Sequence, residues 1–178
     1  EPVYHRAAKA LLTGQICRPA AVFEQLQDIY MPDERFQRDF AVKEIVTNGQ
    51  GKRLAKYVLC RLESDLTGIQ RDYEADTGSI EHILPENPSA EWAAYFAEER
   101  QKDFIYRIGN LTLLESTLNR RIGNALLADK LPSYAQSRYG QTQGIVDDGI
   151  QEWMPAALDQ RQQRMAQRAV HIWRADFA

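Results

Sequence analysis

The residues that could do chemistry gather in one stretch, 79–124. It holds Ser79-Ile80-Glu81-His82-Ile83-Leu84-Pro85, then Arg107-Ile108-Gly109-Asn110 ahead of an apolar run, then Asn119-Arg120-Arg121-Ile122-Gly123-Asn124. An acid stands beside a histidine on a short apolar segment. A carboxylate and a side-chain amide oxygen are hard ligands suited to Mg²⁺. Histidine is the side chain that gains and loses a proton near neutral pH. Glu81 and Asn119 are therefore the expected ligands of Mg²⁺ or Mn²⁺, and His82 is the expected general base, acting through Nε2. The ion would sit on a scissile phosphate and its leaving oxygen while His82 deprotonates the attacking water. That is the chemistry of phosphodiester hydrolysis. Asn110 is expected to brace the turn into the second strand. A backbone carbonyl of that turn is expected to hold the other ring nitrogen of His82.

These residues need elements to position them. Apolar spacing predicts helices over 3–12, 20–30, 33–45 and 52–66. It predicts a short strand over 80–84, which Pro85 stops, and a second over 111–114. Between them a helix within 86–102 is expected, with Ser89 as N-cap and Trp92, Tyr95 and Phe96 on its apolar face. A helix from 118 to about 128 carries Asn119, and Leu131-Pro132 should break it. Residues 133–139 read as another short helix, 69–78 and 140–149 as polar loops, and 155–174 as a long closing helix. The expected fold is α+β, mostly α, with a small ββα unit embedded in a helical domain. Three segments follow: a helical layer at 1–70, the ββα core at 71–140 and a closing helical segment at 141–178.

Composition narrows the class. The chain has 178 residues, 44% hydrophobic and 26% charged, with net charge −3. That length can bury a core of its own, and the charge argues against a protein that is basic all over. No apolar run approaches the roughly 18 residues of a membrane helix, and no signal peptide opens the chain. A cytoplasmic protein is expected. The chain begins at Glu1 without Met, which reads as a trimmed fragment. Cys17 and Cys60 sit in apolar, helix-like contexts and are expected to be buried, reduced thiols. Their spacing does not suit structural zinc.

The combined pattern Glu81-His82-Ile-Leu-Pro85, Arg107-Ile-Gly-Asn110-Leu-Thr-Leu-Leu and Leu118-Asn119-Arg-Arg-Ile-Gly-Asn124 with Lys130 resembles the HNH-type (His-Me finger, ββα-metal) nuclease domain at the C-terminus of GmrSD-type restriction enzymes. The likeness runs over about 20–173. It implies a modification-dependent DNA endonuclease used in phage defence, with His82 as base, Glu81 and Asn119 as metal ligands, and Asn110 as organiser of the turn. It also implies an upstream NTP-binding domain that recognises the DNA. The chain departs from many HNH enzymes in having Glu at position 81 instead of Asp, and Asn at position 119 instead of His.

Among the basic residues, Arg107, Arg120, Arg121 and Lys130 are the expected DNA contacts, through phosphate. Arg161, Arg164 and Arg168 read as a solvated face, and Asn124, His5 and His171 as local or structural residues. A weakly catalytic DNA-binding or assembly module and an RNA-directed toxin nuclease are the rival readings.

Overall fold

The computed structural model describes residues 2–174, and Gly and Pro set many of its element boundaries. Helix α1 (Pro2–Leu12) stops before Gly14, and α2 (Pro19–Leu26) opens on a proline. The two form a hairpin. Helix α3 (Asp33–Phe40) has Asp33 and Glu34 in its first turn, where negative charge suits the helix dipole. Helix α4 (Gly49–Thr67) ends on Gly68, whose φ of 72° is the left-handed conformation that glycine favours. Strand β1 (Gly78–His82) pairs antiparallel with β2 (Leu111–Glu115), placing Glu81 opposite Thr112 and His82 opposite Leu111. Helices α5 (Lys102–Ile105), α6 (Ser116–Ile122), α7 (Leu127–Tyr134), α8 (Gly140–Asp147) and α9 (Pro155–Trp173) complete the described chain. The fold is α+β, mostly α.

Several expectations change. The segment between the strands forms two 3-10 turns, Ala90–Ala94 and Glu98–Arg100, and the short α5 instead of one helix. Ser89 precedes the first turn without a side-chain cap bond. Trp92 and Phe96 are still fully buried, so the apolar residues reach the core through turns. Gly123 ends α6 at a φ of 50°, and α7 then carries Pro132 within it. The loop expected at 140–149 is helix α8, held at its start by Glu63, which accepts the Gly140 and Gln141 N–H groups at 2.7 and 3.0 Å. Leu54 and Leu66, two of the apolar residues whose period predicts α4, are exposed. Cys17 is exposed, whereas Cys60 is buried in α4 and burial pushes its thiol up to about 11.

Alternation along β2 sends its side chains to two cores. Leu111 and Leu113 pack with Leu59 and Leu62 of α4 and with Met165, Ala166 and Ala169 of α9. Leu114 joins Trp92, Phe96, Phe104, Trp153 and Leu158 on the other side. The turn before β2, Ile108–Asn110, is buried, so its backbone polar groups need partners. Ile108 N donates to Lys43 O at 3.1 Å and Gly109 N to Gln162 Oε1 at 3.1 Å. Arg161 Nη1 donates to Gly109 O at 2.6 Å and Leu111 O at 2.9 Å. A Cβ at Gly109 would lie 2.7 Å from both Gln162 Cβ and Leu158 O, and the backbone oxygen cannot swing aside. Gly109→Ala is therefore expected to cost about 1–3 kcal/mol, as overpacking does; urea denaturation checks this, and an unchanged midpoint would contradict it.

The loop before β1 hangs on Asp76. Its carboxylate accepts from Gly78 N at 2.8 Å, Tyr139 Oη at 2.8 Å and Arg71 Nη1 at 3.1 Å. Burial alone would raise its pKa, yet these donors outweigh burial and hold it below 3.8. Its contribution to stability is present above pH 3.8 and is lost as pH falls through the lower folded-state value. Asp76→Asn should lower stability at neutral pH and shrink the loss seen between neutral and acid pH. A pH–stability curve that keeps its wild-type acid limb would refute this.

Candidate active site

The site grows from the free edge of β1. Helix α6 follows β2 directly and lies back across β1. Asn119 on α6 donates its Nδ2 to Ser79 Oγ at 3.0 Å and Ile80 O at 3.2 Å. Those two acceptors fix the amide's orientation. Its Oδ1 has no donor among the described residues. A cleft of about 630 Å³ opens beside this edge, and Glu81, His82 and Asn119 all line it. Thr47 and Glu86 stand at the His82 end, and Lys52, Lys56 and Arg120 border it. Adjacent residues of a strand point to opposite faces, and here both Glu81 and His82 still reach one cleft, at the strand's end.

His82 is partly open, with 13% of its side chain exposed. Its Nε2 lies 3.2 Å from Thr47 Oγ1 and 3.6 Å from Glu86 Oε1, and Thr47 donates to that same carboxylate at 2.9 Å. Tyr106 meets the ring edge-on. Burial lowers the His82 pKa, Glu86 opposes that and Lys130 adds to it. The ring is thus biased to the neutral form a base requires. Among the described residues no carbonyl of that turn bonds the other ring nitrogen, and Asn110 O accepts Ile83 N at 3.0 Å.

Glu81 is held differently. It is 3% exposed, and its Oε1 accepts from Lys130 Nζ at 2.7 Å and Tyr134 Oη at 2.9 Å. Residues four apart share a helix face, so α7 delivers both donors together. Lys130 Nζ also donates to His82 O at 3.0 Å and Ile83 O at 3.1 Å. Its three protons are all used. Burial pushes Glu81 up and Lys130 down, and their mutual attraction opposes both shifts. The sequence pattern pointed to Lys130 as a DNA contact, but the residue is fully buried. A buried ammonium pairs with a carboxylate because it cannot be left alone.

Asn110 also sits inside, fully buried. Its Oδ1 accepts from Leu84 N at 2.8 Å and Trp153 Nε1 at 2.9 Å, and its Nδ2 donates to Leu84 O at 2.8 Å and Ile105 O at 3.0 Å. Its amide is saturated, so Asn110 is a positioning residue that organises the turn and cannot touch a substrate. Arg107, another expected DNA contact, is spent on Gln162 Oε1, Ala41 O and Asp159 at 2.9, 3.0 and 2.9 Å. It pins the turn to α9. Arg120 is exposed and lines the cleft, whereas Arg121 is exposed but outside its lining. Arg161, expected on a solvated face, is buried. Sequence reasoning missed the cleft role of Lys52 and Lys56, although their i,i+4 spacing on the polar face of α4 was a usable signal. It also missed Tyr134, whose signal was its place one helical turn after Lys130.

Among the described residues no three His, Cys, Asp or Glu side chains cluster as a metal cage. One partly engaged carboxylate and one amide oxygen still fit a hard divalent ion that keeps most of its own waters, as Mg²⁺ does.

The buried pair makes a stability test. Lys130→Met leaves the Glu81 carboxylate without its counter-ion and should cost about 3–5 kcal/mol. Combining it with Glu81→Leu should recover much of that loss in urea denaturation. Strictly additive losses would mean the two groups are not coupled.

Comparison with known families gives a match over 30–168 to GmrSD restriction endonucleases, C-terminal domain. The match begins after the α1–α2 hairpin and covers the cleft and both strands. No curated protein matches the chain.

Proposed function

Because this chain belongs to the GmrSD restriction endonuclease C-terminal domain family, we propose that the cleft along β1 is the hydrolytic site of an HNH-type, metal-dependent DNA endonuclease. The observation that carries this reading is convergence: His82, Glu81 and Asn119 line one cleft together with Lys52, Lys56 and Arg120. A base, two hard oxygen donors and three cations are what a phosphodiester substrate asks for.

His82 takes the proton of the attacking water at Nε2 in the tautomer that carries its ring proton on Nδ1, once water replaces Thr47 beside that nitrogen. Glu86 attracts the imidazolium as it forms, and Thr47 ties that carboxylate in place. Glu81 and Asn119 Oδ1 are the groups that would hold Mg²⁺ or Mn²⁺, which when bound stabilises the charge developing on the phosphate and the leaving oxygen. Lys130 and Tyr134 hold the Glu81 carboxylate on the cleft side of the hairpin. Lys52, Lys56 and Arg120 bind flanking phosphates, and Arg121 reaches phosphates farther along the strand. One such site cuts one strand, so the isolated domain nicks duplex DNA. Recognition of modified DNA falls to an upstream NTP-binding domain, and the whole acts in phage defence in the cytoplasm.

Incubation with supercoiled plasmid tests the reaction. Nicking should require Mg²⁺ or Mn²⁺ and stop with chelator; full activity in EDTA would refute the metal. His82→Ala should fold, bind DNA and cleave about 10²-fold more slowly or worse, the usual contribution of a general base. Extra metal should partly restore Asn119→Ala but not His82→Ala. If His82→Ala cleaves at the wild-type rate, the base lies elsewhere.

Binding gives a separate test. Replacing Lys52, Lys56 and Arg120 together by Ala should weaken duplex binding. It should also flatten the salt dependence by roughly one counterion for each phosphate that is no longer neutralised. A wild-type salt slope would show that these side chains are solvated and take no part.

A further inference from the structure

Lys52 and Lys56 of α4 line the cleft, and both also line a second recess, of about 320 Å³, that Arg53, Tyr73 and Glu74 complete. The recess therefore adjoins the cleft across one pair of ammonium groups. Lys52 is exposed, and Lys56 spends one proton on Asp76 O. Tyr73 is partly buried, and two contacts set its ring. Tyr57 stands perpendicular to it with the ring centres 5.6 Å apart, and Tyr73 Oη donates to Glu74 Oε1 at 3.1 Å. Arg53 Nη2 donates to that same oxygen at 2.9 Å. Asp72 fixes the turn by accepting Glu74 N at 2.9 Å.

The recess is not built for phosphate, because the Glu74 carboxylate in its wall repels one. An aromatic ring beside a carboxylate and a guanidinium suits a nucleobase instead: the ring takes the face of the base, and the charged pair takes its edge. Those groups are open to exchange. The Arg53 and Glu74 side chains are 72% and 60% exposed, and an ion pair so exposed is worth little. The volume is at the small end of the roughly 300–1,000 Å³ of ligand sites.

We propose that this recess is a nucleobase subsite, which takes one unpaired, amino-bearing base of the DNA strand that the cleft holds. The base stacks on Tyr73, its amino group donates to the Glu74 carboxylate, and Lys52 and Lys56 hold the phosphates that flank it. The carboxylate selects against thymine, whose one N–H lies between two carbonyl oxygens that repel it. A base lies on a side-chain ring only after it has left the helical stack. The preferred substrate is therefore DNA with an unpaired nucleotide beside the scissile phosphate. This assignment rests on the nuclease reading of the cleft and names the kind of strand that the cleft prefers.

Fluorescence anisotropy in EDTA, where DNA is bound and not cut, tests it. The probes are four duplexes of one sequence: fully paired, or with a single bulged cytosine, thymine or abasic nucleotide. The abasic bulge controls for the flexibility that any bulge adds. The cytosine bulge should bind at least about fivefold more tightly than the abasic one, the usual size of one stacked base, and more tightly than the thymine bulge. Tyr73→Leu should remove the preference for cytosine over the abasic bulge, and Tyr73→Phe should keep it. Glu74→Gln, at an exposed position, should remove the preference for cytosine over thymine, which keeps the test decisive if Tyr73→Leu folds poorly. If the paired duplex binds and the cytosine and abasic bulges bind alike, the subsite falls and the cleft reading stands. Preferences unchanged in folded Tyr73→Leu and in Glu74→Gln also overturn the subsite. If no duplex binds, the cleft reading falls and the subsite with it.

Discussion

The backbone of the turn into β2 is buried, and a buried peptide group must find a partner. That requirement organises the molecule. Gln162 receives Gly109 N–H, Arg161 grips the carbonyls of Gly109 and Leu111, and Arg107 reaches across to Ala41 O and Asp159. The Asn110 amide links the end of β1 to Ile105 and Trp153. Four consecutive residues, Arg107-Ile108-Gly109-Asn110, thus join α3, α5, α9 and the hairpin. Each residue type has a separate reason: a fork of donors, a core side chain, the absence of a Cβ, and an amide with two donors and two acceptors.

The brace behind the hairpin lets its front edge be chemically exposed. A two-stranded sheet is marginal alone, and one free edge here faces the cleft. Charge then divides the labour between two adjacent residues. Glu81 is buried at the cleft wall, where Lys130 and Tyr134 hold it. His82 stays partly open, and its ring meets Thr47 and Glu86, two groups that can yield to a water. A rigid carboxylate and a partly open imidazole are suited to holding and to proton transfer respectively.

Net charge says little about this arrangement. The chain carries −3 overall, yet Lys52, Lys56 and Arg120 border the cleft together. Local placement of cations, more than their sum, sets the field that a polyanion meets. The arginines of α9 make the complementary point. Arg164 and Arg168 lie near the surface with acidic partners, while Arg161, on the same stripe, turns inward and sustains the turn.

Residue type and local spacing alone determined the fold class, the two strands around Glu81-His82 and Asn110, and the placement of Asn119 on the helix that follows. These are short-range properties: alternation marks a strand, Gly109 and Asn110 mark a turn, and an apolar period marks a helix. Tertiary structure decided what the charged residues do. Lys130 is read as a surface cation until Glu81, 49 positions away in sequence, is seen to accept from it. Arg107 finds its partners on α9, and Arg161 finds carbonyls in the turn. Periodicity records which face of a helix is apolar, but it carries no record of a charge that turns inward to meet a distant partner. The same limit hid Lys52 and Lys56, which became cleft residues only when α4 packed against β2. Likewise, 86–102 became turns instead of a helix, because the chain there must seat Trp92 and Phe96 in the core while returning from β1 to β2.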